Sequence, residues 1–268
     1  MSERPSSLLR RHRRLLGLLA AVVVLYVTVA YFVLPLLWVH YEHQRGLTGL
    51  PMVTRTGDDL PGDPLNIGMV GATEDLVHAM HAAGWHPADP VTFRTSIGII
   101  GSVVLDRPYP DAPVSPLFLD GRREDLAFEK PDGRSADRRH HVRLWRVLEN
   151  GEEGRPVWLG AATFDKGVGI SRYTGQVTHH IAPDIDAERE LLAHELEAAK
   201  MATETYEVSG IGPTLLGRNG GGDPYYTDGE IRVLVLTRDG RPATTAPVNL
   251  PSPPLIEWKN RLWHGVAD

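Results

Sequence analysis

The chain of 268 residues contains no cysteine. Disulfides, thiol catalysis and cysteine-ligated zinc are therefore excluded, and an oxidising compartment is compatible with this absence without being demanded by it. Other signatures are missing too. No HExxH metal spacing occurs, the glycine-rich stretch GRNGGGDP (217–224) lacks the Lys-Ser/Thr of a phosphate loop, and GISRYTG lacks the GxSxG nucleophile elbow. Ser115 in APVSP has no base near it in the sequence, and no internal repeat is evident. The most informative absence is of charge, between Leu15 and Val39.

That segment, LLGLLAAVVVLYVTVAYFVLPLLWV, is almost wholly apolar and long enough to cross about 30 Å of hydrocarbon. Pro35 falls in its last turns, where a lost backbone hydrogen bond costs least, and Tyr31, Trp38 and Tyr41 suit the headgroup level. Arg4, Arg10, Arg11, Arg13 and Arg14 precede it, so the positive-inside bias predicts a cytoplasmic N-terminus. The run exceeds a signal-peptide core and shows no small-x-small cleavage pattern, which favours a retained anchor. The remainder is acidic once the arginine-rich tip is set aside, which argues against a general nucleic-acid or anionic-membrane surface role.

The expected organisation is a cytoplasmic tip (1–14), a transmembrane helix (15–39), a linker (40–61), one domain (62–240) and a C-terminal tail (241–268). Within the linker and just beyond it, GLTGLPMVTRTGDDLPGDPLN reads as a tether or extended wrap. NIGMVG reads as a buried strand; Thr73 is a candidate cap for the helix EDLVHAMHAAG, which Gly84 ends. VTFRTSIGIIGSVVLD reads as a helix, with Ile97, Ile100, Gly101 and Val104 on one face. Strand-like runs follow in PLFLDG, DLAFEK, HHVRLWRVL, PVWLGAATFD and GQVTHHI, an antiparallel meander in outline. A helix striped by Ile185, Leu192, Leu196 and Ala199, the strand EIRVLVL and a short amphipathic piece with Trp258, Leu262 and Trp263 complete the chain. The fold class is α+β: one N-terminal transmembrane helix, then a single domain with a mainly antiparallel sheet and packed helices.

Two doubled histidines concentrate the potential chemistry: His140-His141 in RRHHVRLWR, and His179-His180 in QVTHHIAPDIDAER. Neighbouring side chains on a strand point to opposite faces, so each pair offers one ring to a given site. The polar companions of His141 and His180 make those two the candidates, together with Arg143. With Asp184, Asp186 and Glu188 at the start of the following helix, they compose a ligand set suited to zinc or another divalent ion, with a water position left open. The competing reading is structural: carboxylates favour a first helical turn for dipole reasons, and a strand histidine is usually a hydrogen-bonded core residue. Arg122, Arg123, Arg139, Arg143 and Arg218 are candidates for binding a phosphate or carboxylate, since guanidinium forks pair such groups bidentately. GRNGGGDP is then either an anion cradle or a tight turn.

Taken in order, APVSPLFLDGRREDLAFEK, RHHVRLWR, GAATFDKGVGIS, THHIAPDIDAER and GRNGGGDPYYTDG resemble the LssY C-terminal domain family, over about residues 62–236. The resemblance implies a bacterial envelope protein. Domains of this family often accompany DedA-like or PAP2-type membrane modules, and the namesake belongs to a type I secretion gene cluster, which implies phospholipid- or secretion-related work. This chain carries no phosphatase signature, and the family transfers no catalytic residues to it. Two functions remain open: a binding or accessory role at an Arg/His-lined site for an anionic small molecule or lipid headgroup, alone or with other envelope proteins, and a metal-dependent or acid/base hydrolase acting on a phosphorylated or esterified envelope substrate. The expected location is the bacterial inner membrane, with the domain outside the cytoplasm.

Overall fold

A computed structural model describes residues 5–88, 116–133, 138–252 and 254–267. The helix expected over VTFRTSIGIIGSVVLD, and Ser115, lie outside the described residues. The chain divides into two compact units, Met1–Glu42 and His43–Asp268.

The first unit is one helical run: α1 (Pro5–Thr28), a π-helical turn over Val29–Val33, and α2 (Leu34–Tyr41). The π turn has a local cause. Pro35 donates no hydrogen bond and crowds the carbonyl four residues back; just before it the ladder loosens, and Leu34 N–H reaches the Val29 carbonyl five residues back. From Arg10 to Leu37 the mean hydropathy is 2.5, so this helix is long and apolar enough to cross a membrane.

The second unit is α+β with mainly antiparallel sheets. Short strands β1 (Val53–Thr56) and β2 (Pro61–Pro64) come from the segment read as a tether or wrap. Strand β3 (Ile67–Val70) leads to α3 (Thr73–Ala82), then β4 (His86–Pro87), β5 (Leu117–Leu119), β6 (Arg122–Arg123) and β7 (Leu126–Pro131). Two long strands follow, β8 (Arg139–Leu148) and β9 (Val157–Ile170), then β10 (Val177–Ile181), α4 (Ile185–Ala198) and β11 (Ala202–Ser209). The chain closes with β12 (Thr214–Arg218), β13 (Pro224–Thr227), β14 (Glu230–Leu236), β15 (Val248–Asn249) and α5 (Pro254–Ala267).

The main sheet runs β15-β11-β14-β3-β9-β8-β7-β4, with β10 on the far half of β9. A four-stranded sheet, β2-β1-β5-β6, lies over one face. The meander expected from sequence holds for β7 to β10, whereas PLFLDG supplies β5 to the smaller sheet. The strand β3 is central, paired parallel with β14 and antiparallel with β9, and its two faces enter separate cores, Ile67 and Met69 in one and Val70 in the other, which explains its unbroken apolar run.

Strand alternation builds the layers. Val142 and Leu144 of β8 face the helices, packing with Met69, Leu76, Met80, Leu192 and Leu196. Trp145 and Leu159 face the other way, toward Leu65, Leu117, Leu119 and Val233 beneath the smaller sheet. Two details fix helix ends. Thr73 is the first helical residue rather than the cap: Ala72 stands there, and Asp75 Oδ2 accepts the Ala72 N–H at 3.0 Å. Gly84, at φ +82°, ends α3 in a conformation that L side chains rarely adopt. At the start of α4, Asp184 caps the helix by accepting the Ala187 N–H, and Asn66 ties in its first turn through the carbonyl of Ile185.

Candidate functional site

Register places the polar groups in rows across the sheet. Glu129, His141 and Thr163 lie directly opposite one another on β7, β8 and β9. Asp165 of β9 is flanked by Arg139 of β8 on one edge and Ile181 of β10 on the other. By alternation, Glu129, Arg139, His141, Arg143, Thr163 and Asp165 all face the smaller sheet. All six are buried, His141 and Thr163 to 2% exposure.

A linear ionic array results. His141 donates from Nδ1 to Asp165 Oδ2 at 2.8 Å and from Nε2 to Glu129 Oε2 at 3.2 Å, and Arg139 donates to the same Glu129 oxygen at 3.0 Å. With both nitrogens donating to carboxylates, His141 is an imidazolium and keeps no lone pair for a metal. Burial alone would lower its pKa; the hydrogen bonds to Asp165 and Glu129 outweigh burial and raise it. Burial would likewise raise Asp165 and Glu129, yet the His141 hydrogen bond and charge hold both carboxyls below the usual range.

Asp165 also lines an open cleft of about 310 Å³, beside Arg143 and Thr163, with Asp63 of β2 opposite. His179 of β10 and the Asn219–Gly221 turn form its walls. Asp63 Oδ2 is 3.8 Å from Arg143 Nη1, and Asp63 Oδ1 accepts from Asn219 Nδ2 at 3.2 Å. Burial pushes the Asp63 carboxyl up despite Arg143 and Asn219, and the charges of Asp165 and Asp223 add to the rise. The cleft thus holds two carboxylates tuned in opposite directions, with a guanidinium beside both. Among the buried polar atoms on its lining, Thr163 Oγ1 and His179 Nε2 have no hydrogen-bond partner among the described residues. Burial lowers the His179 pKa, and the charges of Arg139, His141 and Arg143 lower it further against the pull of Asp165, so its ring favours the neutral form.

The doubled histidines divide as alternation requires, with one difference. His141 faces the cleft side, while His140 turns to the helices, stacks near Phe164 at 4.8 Å and donates to Glu188 at 2.9 Å. On β10 it is His179, not His180, that lines the cleft. Ile181 sets this parity: it sits opposite Asp165, so His179, two residues earlier, shares its face. The polar neighbours Gln176 and Thr178 that pointed to His180 line the cleft themselves. His180 lies over Gly169, where a Cβ would come within 2.2 Å of its Nε2, and donates from Nδ1 to Asp223 Oδ1 at 2.8 Å.

The acidic residues of α4 are engaged on the helical side of the sheet. Asp184 is the cap, Asp186 accepts from Thr227 Oγ1 at 2.6 Å and the Asp228 N–H at 2.7 Å, and Glu188 holds His140. The five candidate ligands therefore fall on both faces of the sheet, and no group of three His, Asp or Glu able to hold a metal occurs among the described residues. The arginines scatter as well. Arg122 donates to the Arg146 carbonyl, Arg123 to Glu124 and Arg218 to the Gly222 carbonyl, all at the surface, while Arg139 is taken by Glu129. Arg143 alone of the five lines the cleft. GRNGGGDP is a tight connection between β12 and β13: Asn219 accepts the N–H groups of Gly221 and Asp223 on its side chain and that of Gly222 on its carbonyl. Ser171 Oγ accepts the N–H groups of Tyr173 and Thr174, which makes it a turn residue.

Sequence reasoning missed Asp63, Glu129 and Asp165. Asp165 and Glu129 carried a signal: each is a charged residue at an inward position of a strand whose same-face neighbours are small or apolar. Asp63 carried none, since PGDP reads as a turn.

The family described as LssY C-terminus matches residues 47–231. No curated protein and no solved structure matches the chain.

Proposed function

The chain belongs to the LssY C-terminal family, and from that premise and the cleft we propose a membrane-anchored envelope protein whose domain hydrolyses an ester-linked substrate by general acid–base catalysis. Arg10, Arg11, Arg13 and Arg14 ahead of the apolar helix support a cytoplasmic N-terminus and a domain outside the inner membrane. One observation carries the chemistry: Asp63 and Asp165 open to the same cleft in environments that push their pKa values apart, the pattern of an acid and a base held ready together.

In this mechanism Asp165, kept ionised by His141, takes a proton from water, whose oxygen attacks the ester centre. Asp63 gives its proton to the departing oxygen, and Arg143 faces the negative charge that develops between them. The proton taken by Asp165 leaves to solvent, and Asp63 regains one. Glu129 and His141 are positioning residues.

A second reading is accessory binding of the same ligand without turnover, favoured by the unpartnered Thr163 hydroxyl and His179 Nε2, which suit a held ligand. The purified full chain is assayed with p-nitrophenyl acetate and p-nitrophenyl phosphate. Hydrolysis that Asp165→Asn lowers by roughly 100-fold or more, with folding intact, supports catalysis. Absence of turnover on both probes, with inorganic phosphate binding that Arg143→Ala abolishes, favours the binding reading.

A further inference from the structure

The C-terminal helix α5 is mounted with its polar side inward. Lys259 donates to Glu230 Oε1 at 2.6 Å and to the Asp228 carbonyl at 3.1 Å, and Asn260 donates to Glu230 Oε2 at 3.0 Å. Ile256 and Trp263 share that half-buried face. The outward face carries Leu255, Trp258 and Leu262, each more than half exposed at 53%, 57% and 52%. Their spacing of three and four residues makes one stripe along the helix. Arg261, also exposed, adjoins it. A helix on a solvated surface ordinarily has the opposite arrangement.

The position of this stripe in the fold indicates what covers it. His43 is the first residue of the globular unit and stands two residues after Tyr41, the end of α2, a reach of at most about 7 Å. His43 Nε2 lies 3.3 Å from the Pro251 carbonyl, and its ring packs against Tyr206 at 4.9 Å. Pro251 precedes Leu255 by four residues. The apolar stripe thus begins beside the point where the chain enters the domain from its apolar N-terminal helix.

We infer that α5 is an interfacial helix, laying Leu255, Trp258 and Leu262 into the surface of the bilayer that the N-terminal helix crosses, with Arg261 at the level of anionic headgroups. This rests on the proposed membrane span. Leucine and tryptophan on one face, with a basic residue at its margin, is the composition of a helix that lies in the headgroup region, and tryptophan favours that depth. The contact gives the domain a second attachment and limits its rotation on the anchor.

Because the chain lacks cysteine, single introduced thiols report one position each. The full chain is reconstituted in vesicles of phosphatidylethanolamine and phosphatidylglycerol, with an environment-sensitive fluorophore at Leu262→Cys, at Val23→Cys in α1, or at Leu216→Cys in β12, an exposed apolar position of another element. At Val23 and Leu262 emission is expected to move to shorter wavelength, with aqueous iodide quenching reduced several-fold and brominated lipid quenching gained; Leu216 is expected to respond as in water. A lipid-embedded label at Val23 with a water-exposed label at Leu262 overturns the role of α5 alone. A water-exposed label at Val23 overturns the span itself. Protection of Leu262 in detergent without lipid, rising with protein concentration, identifies a second copy as the occupant and also overturns the inference. Leu255→Cys repeats the test should Leu262→Cys fail to fold.

Discussion

His141 Nδ1 donates to Asp165 Oδ2 at 2.8 Å while its Nε2 donates to Glu129, so one buried imidazolium holds two buried carboxylates in place. Asp165 lines the cleft with His141 bonded to its Oδ2, and that bond and the His141 charge hold its carboxyl below the usual range.

Replacing this histidine removes the cation bonded to Asp165 and leaves Glu129 with Arg139 alone. His141→Leu leaves Asp165 and Glu129 buried without their shared cation, and a loss of about 3–5 kcal/mol is expected in urea unfolding. The pH dependence has two limbs. The two carboxyls are lowered in the folded protein, so their contribution is full above their unfolded values and is lost as pH falls through the folded ones. The pKa of His141 is raised, so its contribution is full below its unfolded value of 6.5 and is lost as pH rises through the folded one. Stability from this array peaks at about pH 5–6, and His141→Leu is expected to flatten the alkaline limb.

A second carboxylate pair gives a simpler profile. Burial and the adjacent Glu230 push Glu207 up to about 7, while Ser252 donates to it at 3.1 Å. A raised carboxyl contributes fully below its unfolded pKa and loses that contribution as pH rises toward the folded value. Thermal melts are expected to show Glu207→Gln more stable than the parent at pH 8, with the difference shrinking as pH falls and vanishing below the unfolded value of 4.5.

Asn66 joins the sheet to α4. Its side chain bonds both backbone groups of Ala162 and accommodates the Ile185 carbonyl. Asn66→Ala leaves the N–H and C=O of Ala162 unsatisfied and removes the tie to the Ile185 carbonyl, and a cost of about 2–4 kcal/mol is expected in the same unfolding measurement.

Much of this architecture was legible where a periodic pattern faced a uniform environment. The inward parity of Val142 and Leu144 separated His140 from His141 because both faces of β8 are covered. On β10 the same rule assigned the faces of His179 and His180, but solvent reaches both sides of the arm, so polar neighbours did not reveal which face met Asp165. Asp63 was invisible for another reason. It acts from a four-residue strand bounded by two prolines, and only the folding of the smaller sheet over the larger brings it to the cleft. The arginines show the limit of motif counting: their proximity in sequence did not predict that four of the five are engaged elsewhere.

One cleft holds two carboxylates apart in proton affinity, Asp63 raised and Asp165 lowered. Carbon-detected NMR titration of 13C-aspartate-labelled protein, with Asp63→Asn and Asp165→Asn for assignment, measures this directly. Asp63 is expected to titrate above the usual aspartate range and Asp165 below it. Titration of both within the ordinary range, or in the reverse order, would contradict it.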